Sequence, residues 1–250
     1  RYRWLLGCCL FLSIGMLWAA DEPDLRMLQQ KAAQSRDMEG YVGVCKYLYQ
    51  TEENPELLLL YADSIHQLAT KSKKPEQLVE YYIWASEGNF IKGDFQQGYA
   101  LKRKAIALAE KAGLKFAISQ SCCDMGYYCN VDARYDSARY YFRKGLEAGE
   151  DLSEAGEACR TMLTNYASSF LFEGKTDSAL VYTIRASERS AADKDTAMLI
   201  ENLNQLGTIY RRKKDLENCI ANFEQALHLC ELRGNHNAVA FIYGNIATAY

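Results

Sequence analysis

Cys45, Ser86, Gly126, Ala167, Gly207 and Ala247 form a series of small residues at spacings of 41, 40, 41, 40 and 40. Each sits among apolar residues three and four apart, as in Leu203, Leu206, Gly207 and Tyr210, the signature of a helix that buries one stripe. A second stripe of the same kind follows, as in Cys219, Phe223 and Ala226. A fixed period of this length describes a chain built from one recurring helix pair. One pair cannot bury its apolar face alone, so each must stack on the next.

The same frame fits the rest of the chain. It gives Cys122, Met125, Gly126, Cys129, Ala138, Phe142 and Gly145 in one copy, and Leu163, Tyr166, Ala167, Phe170, Ala179, Thr183 and Ala186 in another. Fainter copies are Tyr82, Ala85, Ser86, Asn89, Gly98 and Ala105, and Tyr41, Val44, Cys45, Leu48, Leu57, Tyr61 and Ser64; the last begins with Tyr243, Ile246, Ala247 and Tyr250. A small side chain where two helices cross lets their backbones approach. Of 16 such sites in this frame, 15 carry Ala, Gly, Ser or Cys and only Leu57 departs, whereas these types supply 69 of 250 residues and chance would give four or five. Three prolines and no long Gly or Ser tract argue against a turn-rich β-sandwich, so the fold class is all-α. Hydrophobic residues at 49% and charged residues at 24% exclude collagen-like and wholly disordered chains.

On these residues the chain resembles the tetratricopeptide repeat (TPR) family over roughly residues 38–250. The resemblance implies a right-handed α-α superhelix, a TPR-like solenoid of antiparallel helix pairs, with about five repeats and a truncated sixth. The family period is usually 34 residues. The extra six or so are expected after the second helix, as longer second helices or longer connections, in segments such as Ala112-Gly113-Leu114, Gly149-Glu150-Asp151 and Gly234-Asn235. Gly113, Gly149 and Gly234 suit the left-handed residue that closes a helix, and Asn54-Pro55 and Lys74-Pro75 suit helix starts. Residues 21–37 are expected to hold an entry helix over the first repeat. The sequence stops halfway through a helix pair with no polar cap, so the natural protein is expected to continue.

Residues 1–20 read as a signal peptide: Arg1 and Arg3, an apolar stretch from Trp4 to Trp18, then Ala19 and Ala20 before Asp21-Glu22-Pro23. The chain is therefore expected to be exported and periplasmic, with membrane association only through segments beyond the sequence given. Without the leader, 27 basic residues face 32 acidic ones. The densest basic cluster, Arg211-Arg212-Lys213-Lys214, runs straight into Asp215 and Glu217, so no nucleic acid is expected on this region. Seven cysteines remain, an odd number without CxxC spacing. Cys122 and Cys129 would sit about 10.5 Å apart along a helix, too far for a disulfide.

Catalytic machinery is not evident. Only His66, His228 and His236 are available, the first two at surface positions of second helices and the third in a polar loop. HExxH, GxSxG, P-loop and dinucleotide patterns are absent, and no metal or cofactor is implied. Cys122-Cys123 beside Asp124 has no histidine near in sequence to activate a thiol and reads as core. The acid pairs Glu52-Glu53, Glu150-Asp151 and Asp193/Asp195 read as solvated loops.

The informative surface is the inner face of the first helices, where stacked repeats build a concave groove. Counted from the small-residue sites, it holds Tyr127, Asn130, Asn165, Ser168, Asn204, Thr208, Arg211 and Asn245, joined by Glu87, Phe90, Asp124, Thr164 and Gln205. Side-chain amides both donate to and accept from a peptide backbone, which makes Asn165, Asn204 and Asn245 candidate peptide clamps. In the chaperone-adaptor subset of the TPR family, basic residues beside such an asparagine grip a C-terminal carboxylate. Asn165 matches one asparagine of that set, but Glu201 and Gln205 stand where the subset has basic residues.

The reading is a non-catalytic scaffold that binds a peptide or protein ligand in the groove, as the periplasmic sensor region of a longer signalling or transcription-regulating protein. The alternatives are a free-standing periplasmic assembly or chaperone-type scaffold, and an enzyme with an unrecognised site, in which case substituting Cys123, Asp124 and Tyr127 should abolish turnover while leaving the helices intact.

Overall fold

The computed structural model describes residues 24–51 and 54–249. The signal-peptide segment and Tyr250 lie outside the described residues. Twelve helices follow one another, and among the described residues there is no strand. They are α1 Leu25–Ser35, α2 Met38–Thr51, α3 Pro55–Ser72, α4 Pro75–Lys92, α5 Phe95–Ala112, α6 Lys115–Val131, α7 Tyr135–Gly149, α8 Gly156–Phe172, α9 Thr176–Ala192, α10 Thr196–Arg212, α11 Leu216–Leu232 and α12 His236–Ala247. The chain forms two compact units, one ending at Met125 and the other starting at Gly126. In the first, α2 packs on α3, α3 on α4 and α4 on α5, with α1 against α2. In the second, the pairs α8/α9 and α10/α11 pack in the same sequence, and α12 continues it.

Short connections hold the period. A left-handed residue ends many of the helices: Gly113 and Gly234 as expected, with φ of 67° and 65°, together with Gly93, Gly174 and the non-glycine residues Lys73, Ala133, Lys194 and Lys214. Gly149 is different. It is the buried last residue of α7, and the chain passes through Glu150 in right-handed conformation into a short 3-10 turn, Ser153–Ala155. The residue after a turn often caps the next helix: the carboxylates of Asp94, Asp195 and Asp215 and the amide oxygen of Asn235 accept from backbone N–H groups three residues on. Asn54 does the same before Pro55. The surplus over the usual repeat therefore lies in both helices of a pair, which reach 17–18 residues in α8, α9, α10 and α11 and in α4 and α5.

Cys45, Ser86, Gly126, Ala167 and Gly207 are all buried, as the repeat frame requires. Two glycines show why size matters there. A Cβ on Gly126 would run into the Phe142 ring, and one on Gly207 would lie 2.6 Å from the Phe223 ring. Ala247, the last in the series, is exposed, since no described helix packs across it. The frame is one residue out in α3. Leu57, Tyr61 and Ser64 are only half-buried, while Leu58, Ala62, Ile65 and Ala69 form the interior stripe. With that correction Leu58, Gly98, Ala138, Ala179 and Cys219 recur at 40, 40, 41 and 40, and the second helices keep the same period as the first.

Candidate functional site

Stacking brings residues about one repeat apart in sequence side by side on successive first helices. In the second unit this produces a chain of hydrogen bonds along the face expected to bind a ligand. Asn130 Nδ2 of α6 donates to the Asn165 carbonyl of α8 at 3.0 Å. From α10, Gln205 Nε2 reaches Ser168 Oγ of α8 at 2.6 Å, and Thr164 Oγ1 donates to Asn202 Oδ1 at 2.9 Å. Asn245 Nδ2 of α12 donates to Asn204 Oδ1 of α10 at 2.7 Å, and Arg211 donates to Thr248 Oγ1.

The eight expected groove residues thus divide by exposure. Asn130 and Ser168 are buried and turned into the junctions between helices. Tyr127, Asn165, Asn204, Thr208, Arg211 and Asn245 are half-buried. Asn204 and Asn245 bind each other, and Thr208 Oγ1 returns to the Asn204 carbonyl at 3.1 Å. Among the three clamp candidates, Asn165 keeps its side-chain amide clear of its neighbours and uses only its backbone carbonyl. The acid pair Asp193/Asp195 lies in a solvent-facing turn as expected, but it is also ion-paired: Arg160 binds Asp195 at 2.8 Å and Asp193 at 3.1 Å, and Arg189 joins Asp193 at 2.8 Å. Those contacts tie the start of α8 to the turn that opens α10.

In the first unit, Glu87 and Phe90 belong to the core and Asp124 lies half-buried at its edge. Glu87 and Phe90 are almost fully buried, and Glu87 pairs with Lys102, whose side chain is 0% exposed. Lys102 Nζ also donates to Asp124 Oδ2 at 2.9 Å. Burial opposes a charged ammonium, but Asp124 and Glu87 together outweigh it and hold the Lys102 pKa above its ordinary value. This ion triad was missed because Leu101-Lys102-Arg103-Lys104 looks like a solvated basic run. The signal was its register: Lys102, Phe142, Thr183 and Phe223 recur at 40, 41 and 40, and the sister positions are core.

All seven described cysteines are buried. Burial, reinforced by the Glu80 charge, pushes the Cys45 thiol up to about 12, far from a reactive thiolate. His66 and His228 are exposed on their helices, and His66 stacks on Tyr81 with ring centroids 4.3 Å apart.

No family model and no curated protein matches this sequence at a significant level. Solved structures do. BtubC from P. vanneervenii superposes with a TM-score of 0.68 at 14% identity, covering 84% of this chain and 88% of that one. The apo form of RapI gives 0.70 at 11% identity over 98% of this chain and 70% of its own. Aspartyl phosphate phosphatase F from Bacillus subtilis gives 0.61 at 15% over 90% and 62%. This chain has a TPR-like helical repeat fold. At such low identity the likeness extends to the fold alone, and the function has to be argued from the residues.

Proposed function

We propose that this TPR-like chain is a non-catalytic scaffold that binds a peptide or protein along the inner face of its first helices, in the bacterial envelope, as the sensor region of a longer signalling or transcription-regulating protein. The observation that carries the reading is the line of half-buried polar side chains on successive first helices of the second unit: Tyr127 on α6, Asn165 on α8, Asn204 and Thr208 on α10, and Asn245 on α12. A face of this kind is too polar to be core and too well organised by hydrogen bonds to be a mobile surface. Such pre-organisation lowers the entropy cost of binding an extended chain. The envelope location rests on the leader-like pattern of residues 1–20. Among the described residues no helix is long and apolar enough to cross a membrane. The name of phosphatase F is not carried over, because fold likeness alone transfers no chemistry.

The test is selection of short random peptides against the purified chain, followed by titration of the selected peptides against Asn165→Ala. A tenfold or greater loss of affinity, about 1.4 kcal/mol, with an unchanged melting curve supports the reading. Selected peptides that bind the variant unchanged remove Asn165 from the site. For location, residues 1–30 fused to a reporter enzyme active only outside the cytoplasm should yield activity; an inactive, full-length fusion would remove export.

A further inference from the structure

On the groove face of α10 nearly every polar side chain has its partner inside the protein. Asn204 is bound by Asn245, and Gln205 binds Ser168 and accepts from Thr183 Oγ1 at 3.0 Å. Thr208 returns to the Asn204 carbonyl and Arg211 reaches Thr248. Glu201 is the exception. It lies one turn before Asn204 and Gln205, is half-buried, and has neither an ion pair nor a hydrogen bond.

Among the described residues no cation is paired with it. The charged group that acts on it is Asp195, which is also negative, and Arg160 of α8 is held by Asp193 and Asp195. Helix α12 carries no Lys, Arg, Asp or Glu. Burial, with Asp195 adding to it, pushes the Glu201 carboxyl up to about 8. A carboxylate held this way gains from a cation that arrives with a ligand, because the cation supplies the compensation the protein lacks.

We propose that Glu201 selects the ligand of this face by pairing with a cationic group of the bound peptide, a lysine or arginine side chain or a free amino terminus. This rests on the groove reading above and adds the sign of the charge that the groove reads. Binding such a group at slightly alkaline pH shifts Glu201 toward its ionised form and releases its proton to solvent. The proton is then a signature of the contact.

The experiment uses two libraries of short random peptides, one with free and one with acetylated amino termini. Selected peptides are titrated calorimetrically against the wild-type chain and Glu201→Gln, in buffers of different ionisation enthalpy near pH 7.5. Enrichment of Lys or Arg in both libraries assigns a side-chain partner; binding confined to the free-terminus library assigns the amino terminus. In either case the variant should bind about tenfold more weakly or worse, and the fractional proton released by the wild type should vanish. Selected peptides with no cationic preference, or equal binding and equal proton release by Glu201→Gln, overturn the inference while leaving the groove reading intact. If neither library yields a binder, the groove reading fails and this inference goes with it. Because Gln keeps the shape of Glu and is neutral, as the protonated carboxyl is, loss of fold does not confuse the result; the melting temperature checks this directly.

Discussion

The two units place different chemistry in the same slot of the repeat. In the second unit the slot holds Phe142 and Phe223, each fully buried against a glycine, Gly126 or Gly207, that leaves no room for a Cβ. In the first unit the slot holds Lys102, equally buried but bound to Glu87 and Asp124. Ala167 and Thr183 take the two positions in the repeat between the phenylalanines, a slightly larger first residue with a smaller second one. One backbone geometry therefore accepts an apolar or an ionic filling, provided the volumes match and every buried charge has a partner. The two solutions differ in how they fail. An aromatic slot fails by overpacking, and an ionic one fails when one partner is removed.

The sharpest way to break the comparison is Lys102→Ala. It takes the buried Glu87 carboxylate's ammonium partner away and should cost about 3–5 kcal/mol in urea unfolding. Lys102→Met together with Glu87→Met and Asp124→Asn should recover most of that loss, since well-packed apolar groups replace buried ions at little or no cost. If Lys102→Ala costs no more than a surface substitution, the triad is not holding the slot. Next, Gly207→Val should destabilise by about 1–3 kcal/mol or more. Pairing it with Phe223→Leu should give less than the sum of the separate losses, a coupling that the Gly–Phe contact requires. Strict additivity would place the strain elsewhere.

A pH-graded effect is expected at Glu201. Its carboxyl holds the proton more tightly when folded, so the native state loses stability as pH rises from the ordinary glutamate range through about 8. Glu201→Gln should remove that slope, gaining on wild type with rising pH and matching it under acid conditions; parallel profiles would contradict the burial of this group. The smallest change is Asp215→Ala, which removes the acceptor for the Asn218 N–H at the start of α11 and should lower the melting temperature slightly. Hydrogen bonds from Asn218 hold the Asp215 carboxyl below its usual range, so this contribution should fade as pH falls through that lowered value.

Much of the architecture was legible because helix packing writes a period into composition. Small residues at Gly126, Ala167 and Gly207 fixed the first helices without ambiguity. The second helix of the first repeat was misread by one residue for a physical reason: Leu57, Leu58, Leu59 and Leu60 are all apolar, so hydrophobicity cannot tell one rotation of the helix from the next. Leu60 proves to be 61% exposed and Leu58 fully buried. Gly149 was misread because a glycine near a predicted helix end serves equally as a left-handed cap or as a small buried contact.

The sequence by itself determined the helix pairs and their period, since these follow from residue size and spacing along one chain; it also placed the polar line on the first helices of the second unit, but not the buried Glu87 and Phe90 of the first. Only the tertiary structure decided how those polar groups are used. Asn130, Gln205 and Asn245 find partners 35 to 41 residues away, and Lys102 finds its carboxylates 15 and 22 residues away. The separation of neighbouring repeats sets such partnerships, and local periodicity carries no record of it. Glu201, for which stacking supplies no partner, stood out only once the partners of its neighbours on α10 were known.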